Sequence, residues 1–592
     1  MKEFFRSFFA SLLAIFISGV LFIFILVIIV IGIARSVGEN DNKKVVGDVI
    51  VIDLTRKINE LGETNPFAAF SETSSYKAGL HDIISAIEHA KTDDDIEGIY
   101  LKLGPTSNGW ATMQELQYAL RDFKESGKFI YSYGEYITQG AYFAATASDS
   151  IFLNPSGAID LKGFATVLGF FKGTLEKLEV EPEIFYAGKF KSATEPFRAD
   201  RISDPNRLQI KAFQDGMWNE FLASASEYMH TGIDTIHQLA LSGAIQFPED
   251  AVKYGMVARL AYHDEVERLL RSKTGRTEKE GVKYVSINDY ADAVKGNEAT
   301  GSGKIAVLFA EGEIVDGEQK DNIQIASKTL SEEIRKIRLN NKIKAVVLRV
   351  NSPGGSALAS EVILRDLMLL QRKKPLIVSM GNYAASGGYY IACSADSIFA
   401  LPNTITGSIG VFGMMFNVGK MMKNKLGVTF DDVKNAPYAD FPTASRALTV
   451  DEGQRMQRSI DTIYARFKGR VAAGRRLAPE VVDSIAQGRV WTGSDALGIG
   501  LVDGLGGLDR AISSAAAKAG MSSWKIVTYP EPTDKLSTLM KRFNESTETR
   551  LAIRSAIKEE LGAGYEWYEK VKGLQQMNGK ALMAMPFVLT VE

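Results

Sequence analysis

The chain has 592 residues, a formal net charge of −2 and a single cysteine, Cys393. This length exceeds what one hydrophobic core normally supports, so two or more domains are expected. The near-neutral charge argues against a nucleic-acid partner, and one cysteine excludes an internal disulfide framework. None of the five histidines has a metal-ligand spacing, so no metal site is expected.

The amino-terminal part contains an almost continuous apolar segment, Phe8–Ala34. At about 1.5 Å per residue, such a helix would cross a hydrocarbon core of about 30 Å. Its length, and the Arg35 that follows it directly, favour an uncleaved anchor over a cleaved signal peptide. Lys2 and Arg6 favour a cytoplasmic amino terminus, whereas Arg35, Lys43 and Lys44 follow the other end of the segment. Because the amino-terminal flank is so short, we expect it to stay in the cytoplasm. Residues 1–36 are therefore predicted to form a single transmembrane helix in the cytoplasmic (inner) membrane, with the rest of the chain outside the cytoplasm.

An internal repeat is the most informative feature of the sequence. Its clearest pair matches GEYITQGAYFAATASDSIFLNP (Gly134–Pro155) with GNYAASGGYYIACSADSIFALP (Gly381–Pro402), at a constant offset of 247, since 381 − 134 and 402 − 155 are equal. Three further matches occur in the same order: GDVIVIDLTRKI with GKIAVLFAEGEI, EGIYLKLG with KAVVLRVN, and FPEDAVKYGMV with WTGSDALGIGLV. Four ordered matches indicate two tandem copies of one fold.

Each copy alternates short β-branched runs with helical patterns. The clearest predicted strands are Ile99–Leu103, Val346–Val350 and Leu376–Ser379, and the clearest predicted helices are Met113–Glu125 and Leu358–Gln371. This alternation predicts an α/β fold with parallel sheets and flanking helices. We assign residues 45–295 to the first copy, 303–525 to the second, and 526–592 to a C-terminal helical extension.

A candidate nucleophile, Ser386, lies in NYAASGGY, between an apolar strand and a predicted helix beginning near Gly387. A serine at such a turn presents its hydroxyl to a ligand, although an ordinary helix cap explains the motif equally well.

A second motif, NSPGGS, ends the neighbouring predicted strand, where ligands bind in parallel sheets. The N–H groups of Gly354, Gly355 and Gly387 could there form an oxyanion hole. An ordinary glycine-rich turn is the alternative.

A serine nucleophile needs a base, and the second copy contains no histidine. A Ser-His-Asp triad within that copy is therefore excluded. The other common base is a buried lysine whose pKa is depressed.

At these residues the chain resembles the signal peptide peptidase A (protease IV) family in its long, duplicated form. The resemblance rests on the anchor, the repeat and the motifs NSPGG, NYAASGGYY, TGSIGVFG and KSATEPF. It implies a fold similar to Clp protease and crotonase in each copy, and a serine endopeptidase with a Ser-Lys dyad. The substrates implied are residual signal peptides and other apolar peptides, cleaved through an acyl-enzyme. No cofactor is implied, and a homotetramer is expected.

The resemblance also implies site residues. Ser386 would be the nucleophile, Lys191 of KSATEPF the base, and Ser408 of TGSIG the residue that orients the lysine; Lys189 is the rival base. The repeat agrees with a divided dyad, because the position matching Ser386 in the first copy is Gln139. Besides its peptide substrates, the chain is expected to contact membrane lipid through its N-terminal helix. Two alternatives stay open: a crotonase-like enzyme acting on acyl thioesters, and a catalytically inactive membrane scaffold.

Overall fold

The computed structural model describes residues 17–21, 47–64, 76–295, 303–319, 324–530 and 581–585. Residues 17–21 are helical, and the rest of the predicted anchor lies outside the described residues. Among the residues described, no helix is both long and apolar enough to cross a bilayer. Most of the predicted C-terminal extension likewise lies outside them.

The first copy contains a complete set of alternating strands and helices. Its strands are β1 (Val49–Asp53), β2 (Glu63–Thr64), β3 (Tyr76–Lys77), β4 (Gly98–Leu103), β5 (Phe129–Ile137), β6 (Ser150–Ile159), β7 (Glu181–Ala187), β8 (Arg259–Leu260) and β9 (Tyr284–Ser286). Its α-helices are α1 (Leu80–Ala90), α2 (Trp110–Lys124), α3 (Gln139–Ala145), α4 (Lys172–Leu178), α5 (Glu195–Arg198), α6 (Asp204–Met229), α7 (Ile233–Ser242), α8 (Pro248–Lys253), α9 (His263–Lys273) and α10 (Ile287–Val294).

The second copy repeats this plan. Its strands are β10 (Gly303–Glu311), β11 (Glu313–Val315), β12 (Gln324–Ala326), β13 (Ile343–Ser352), β14 (Gly354–Ser356), β15 (Leu376–Ala385), β16 (Ser397–Ala400), β17 (Ile405–Gly407), β18 (Val411–Asn417), β19 (Val490–Thr492), β20 (Gly504–Leu505) and β21 (Trp524–Tyr529), followed near the carboxyl end by β22 (Ala581–Ala584). Its α-helices are α11 (Ser327–Leu339), α12 (Ala357–Gln371), α13 (Gly387–Ala392), α14 (Gly419–Leu426), α15 (Val450–Arg475), α16 (Pro479–Ile485), α17 (Gly493–Gly498) and α18 (Leu508–Lys518).

The strand order confirms the duplication. In the first copy the order is β8-β6-β5-β4-β1-β9, and every pairing is parallel. In the second copy β20-β16-β15-β13-β10-β21 follows the same order, and β17 and β19 extend from β15. Strand β21 therefore takes the place of β9 at the sheet edge, and it crosses the boundary at residue 525 that the sequence predicted.

Both faces of each parallel sheet are covered, which explains the nearly continuous apolar runs in the strands. On β10, Ile305 and Val307 pack against helix α18, while Ala306 and Leu308 face the core that includes α11 and α12. Burying each such large aliphatic side chain contributes about 1.5–3 kcal/mol. The predicted α/β class follows from this two-sided burial and is confirmed.

A third sheet joins the two copies, in the order β12-β11-β14-β22-β18-β7. Strand β7 of the first copy pairs antiparallel with β18 of the second along their whole length. The loop that follows β7 consequently lies against the second copy. Strand β22 falls inside the predicted helical extension and is extended instead, because it pairs on one side with β14 and on the other with β18.

Helix α2 forms a polar contact between the copies. The guanidinium of Arg349 on β13 is 1% exposed and lies 2.8 Å from Glu60 and 2.6 Å from Glu115 of the first copy. Thr112 donates its N–H to Asn382 Oδ1 (3.0 Å), and Asn382 Nδ2 donates to Thr112 Oγ1 (2.7 Å). These directional contacts fix α2 against the strands that lead to the predicted site.

Candidate active site

Ser386 occupies the turn between β15 and α13. Its φ is +55°, a left-handed value that is uncommon for residues other than glycine. The turn is held on both sides, because Ser386 N–H donates to the Gly407 carbonyl and the Ser386 carbonyl accepts from Tyr390 N–H, each at 2.8 Å. Non-glycine residues persist in such strained conformations only where their surroundings enforce them, and this occurs most often at functional sites.

Lys191 reaches this turn from the first copy. It follows β7 and lies just before a short 3₁₀ turn, Ser192–Thr194, and its side chain is buried. Its Nζ lies 2.9 Å from Ser386 Oγ. Burial lowers the pKa of Lys191 well below its usual range, with no described charged neighbour opposing the shift. Lys189 is exposed instead, with its ammonium 5.2 Å from the centre of the Phe190 ring.

Ser408 provides two further oxygens around the same amine. The Lys191 Nζ lies 3.0 Å from Ser408 Oγ and 3.3 Å from the Ser408 carbonyl oxygen. A neutral amine has two N–H groups and one lone pair. If both N–H groups donate to Ser408, the lone pair is left for the hydroxyl proton of Ser386.

The three predicted glycines lie beside the serine turn. Gly354 and Gly355 have φ values of +99° and +154°, in the range that favours glycine. A Cβ atom at Gly354 would lie only 2.7 Å from the backbone nitrogen of Gly387, so the two motifs adjoin. The Gly354 N–H itself donates to Ser352 Oγ at 3.1 Å, whereas no described group within the chain competes for Gly387 in this way.

A second segment of the chain lies beside these glycines. Strand β22 pairs Gly354 with Ala584 and Gly355 with Met583, in antiparallel register. A Cβ atom at Gly354 would lie 2.0 Å from the Met583 carbonyl oxygen, and one at Gly387 would lie 3.1 Å from it. The Met583 carbonyl thus lies between the two glycine motifs, close to Gly387, the residue after Ser386.

Two family models match the chain. A model of peptidase family S49 matches residues 122–275 and 368–522, one stretch in each copy, and a model of Clp protease matches residues 298–406. The chain belongs to peptidase family S49. Protease 4 of Salmonella typhi is 37% identical over 550 residues, covering 90% of this chain and 88% of that protein. Protease 4 of Haemophilus influenzae is 36% identical over 452 residues (74% and 73%), and the chloroplastic serine protease SPPA of Arabidopsis thaliana 33% over 448 residues (75% and 66%).

These matches confirm the family predicted from the motifs and make this S49 protein a serine peptidase. In its first copy the turn that corresponds to Ser386 carries Gln139. The side-chain oxygen of Gln139 accepts from the N–H groups of Lys162 (2.9 Å) and Gly163 (3.0 Å). The amide therefore fills that turn with internal hydrogen bonds and leaves no nucleophile there.

Two residues near the lysine of this S49 peptidase have no sequence motif that would single them out. Gly488 has a φ of +76°, and a Cβ atom there would lie 2.7 Å from both the backbone nitrogen and the Cβ of Lys191. Gln209, on helix α6, is fully buried and bonds to the lysine loop. Neither residue lies in a motif, so only a signal of burial or backbone conformation could have identified them.

Proposed function

We propose that this S49 peptidase cleaves apolar peptides with a Ser386–Lys191 dyad, through an acyl-enzyme. The observation that carries the proposal is the 2.9 Å separation between Lys191 Nζ and Ser386 Oγ at a buried position. Because burial lowers the pKa of Lys191, its amine is available in the neutral form, and a neutral amine can accept the serine proton.

The proposed reaction begins when Ser386 Oγ attacks the substrate carbonyl carbon and Lys191 Nζ accepts the hydroxyl proton. The oxyanion is held by the Gly387 N–H, with Gly354 and Gly355 lining the same position; the Gly354 N–H would join it by leaving Ser352 Oγ. The new ammonium then passes its proton to the leaving amine, and an ester to Ser386 remains. Water attacks this ester with Lys191 again acting as the base, which releases the acyl product and regenerates the hydroxyl. Ser408 keeps the amine aimed at Ser386 throughout.

We infer the substrate class from the way β22 pairs beside Gly354 and Gly355. An extended segment there pairs its backbone with β14 and β18, and its Leu582 and Met583 side chains are buried. Strand addition of this kind binds any extended peptide through its backbone, while pockets select the side chains. We therefore infer apolar peptides as substrates, and residual signal peptides are a class with that composition.

The same proposal includes attachment to the cytoplasmic membrane by residues 1–36, with the catalytic part outside the cytoplasm, and assembly into a homotetramer. The apolar run Phe8–Ala34 supports the attachment, and the short amino-terminal flank with Lys2 and Arg6 supports the orientation. The full chain is expected to stay with membranes after an alkaline carbonate wash. A variant lacking residues 1–36 is expected in the supernatant, and retention of that variant would contradict the assignment. Light scattering of the detergent-solubilised chain tests the tetramer.

The dyad is tested with an internally quenched apolar peptide and three variants. Ser386→Ala is expected to abolish hydrolysis, and Lys191→Ala to lower kcat by about 10² to 10⁴-fold, the usual contribution of a general base. Lys189→Ala is the matched control and should leave the rate unchanged. Hydrolysis by Ser386→Ala at the parent rate would refute the assignment of the nucleophile. If only Lys189→Ala lost activity, the base would be Lys189 and not Lys191.

A further inference from the structure

A buried glutamine spans the residues on either side of Lys191. Gln209 lies on α6 and is 0% exposed. Its Nε2 lies 3.1 Å from the carbonyl oxygen of Phe190 and 3.1 Å from Ser192 Oγ. One side chain therefore contacts both neighbours of the proposed base, and it does so through directional hydrogen bonds rather than through apolar packing.

The other end of the same amide contacts the second copy. Gln209 Oε1 accepts from the N–H of Val490 on β19, at 3.2 Å. Val490 pairs antiparallel with Gly407, the residue before Ser408, and Ser408 N–H donates to the Arg489 carbonyl at 2.7 Å. Gln209 thus bonds to the two residues next to Lys191 at one end. At its other end it bonds to Val490, which belongs to the strand pair that leads into Ser408.

The orientation of this amide is fixed by its surroundings. Asn206 Oδ1 lies 2.9 Å from Gln209 Nε2 and is a third acceptor for its two N–H groups, so one N–H is shared; Asn206 Nδ2 donates to the buried carboxylate of Glu195 (2.8 Å). The Nε2 end of Gln209 faces acceptors, and the Oε1 end faces a backbone donor, so reversing the amide would oppose like groups at both ends. Such a fully bonded network holds its members rigidly.

We propose that Gln209 is a positioning residue that sets the register of Lys191 against Ser386 and Ser408. The inference rests on the proposed dyad. Because the two halves of that dyad come from different copies, their separation depends on contacts that cross between the copies. Gln209 contacts the second copy next to the dyad residues, whereas Arg349 and Asn382 join the copies farther along the strands.

The test compares three variants in the full-length chain: Gln209→Leu, Gln209→Glu and, as control, Gln117→Leu. Gln117 is buried in the first copy, where its Nε2 donates to the Phe143 carbonyl (2.9 Å) and Thr146 Oγ1 (2.6 Å), so its loss removes similar bonds away from the dyad. Gln209→Leu is expected to lower kcat by about 10- to 100-fold, the effect of a misplaced catalytic group, with KM nearly unchanged. Gln117→Leu should leave kcat at the parent value even where it lowers Tm as much.

The glutamate variant adds a readout that loss of stability alone would not produce. It keeps an acceptor for Val490 but places an anion beside the lysine loop, which favours the ammonium form. The acid limb of the kcat/KM profile should therefore move to higher pH. The other charged groups around the network, Glu195, Lys189 and Arg489, are unchanged in this variant.

The outcomes separate this inference from the proposed function. If Ser386→Ala or Lys191→Ala retains full activity, the dyad itself is wrong. If both are inactive while Gln209→Leu keeps the parent kcat, the dyad stands and the positioning role of Gln209 is refuted. If Gln209→Leu fails to fold, Gln209→Glu decides alone, and an unmoved acid limb with parent kcat refutes the role.

Discussion

Ser408 offers a direct test of how the base is oriented. Its hydroxyl contacts Lys191, the proposed base, and not the turn that carries Ser386. Ser408→Ala removes one of the two oxygens, at 3.0 Å, that orient Lys191 Nζ, and leaves the carbonyl at 3.3 Å in place. The lysine becomes an ammonium during the reaction, and a hydrogen bond to a charged group contributes about 1.5–3 kcal/mol. Its loss should lower kcat by about 10- to 150-fold.

The assay is hydrolysis of a quenched apolar peptide across a pH series. Since the Ser408 hydroxyl oxygen stabilises the ammonium, its removal should lower the pKa of Lys191 further, and the acid limb of kcat/KM should move to lower pH. Ser132→Ala is a suitable control, because that serine is buried in the first copy against Ser148, 2.6 Å between their oxygens. A parent-like kcat, or an acid limb displaced to higher pH, would refute the orienting role.

Two further predictions concern stability and access to the cleft. Lys191→Met should raise Tm by about 2 °C or more at neutral pH, because the folded chain no longer excludes a proton that the unfolded chain binds. Because the pKa of Lys191 is lower in the folded chain, the parent loses stability relative to this variant as pH falls from about 10.4, the ordinary lysine pKa, towards the lowered pKa. If the urea midpoints of parent and variant differed by the same amount at pH 7 and pH 9, this would be contradicted. Truncation after residue 580 removes β22 from its place beside Gly354 and Gly355, where we expect it to compete with substrate. If β22 occupies that place roughly 90% of the time, its removal should lower KM by about ten-fold and leave kcat unchanged. An unchanged or higher KM would show that β22 does not compete with substrate.

The parts of the fold predicted from sequence are those governed by local apolar pattern. The predicted strand Val346–Val350 lies within β13, and the predicted helix Leu358–Gln371 corresponds to α12. That helix begins where predicted because Ser356 caps it, accepting from the Ala359 N–H at 3.2 Å. A strand that is buried on both faces has a continuous apolar run in the sequence, and a helix cap has a serine before the helix. Both features can be identified from the sequence, so the elements and their duplication could be inferred.

The features that the sequence does not predict depend on contacts between distant segments. Lys191 stands in a charged stretch that resembles surface, and its burial results from the pairing of β7 with β18. Strand β22 lies in the segment predicted to be helical. It is extended because strands β14 and β18 each offer an edge with which it pairs. Gln209 belongs to no motif, and its position is fixed by residues from 190 to 490.

A dyad divided between two copies joins catalysis to the contact between them. A neutral, buried lysine destabilises the fold that contains it, so its position must be enforced by stronger contacts nearby. Helix α2 supplies some of these, through Thr112 to the nucleophile's strand and Glu115 to Arg349 on the neighbouring strand. If the copies moved apart by even 1 Å, the amine would leave hydrogen-bonding range of Ser386 while each copy's own core stayed intact. Loss of activity should therefore precede global unfolding in mild denaturant, which parallel activity and fluorescence titrations would measure; coincident transitions would show that the contact between copies is as stable as their cores.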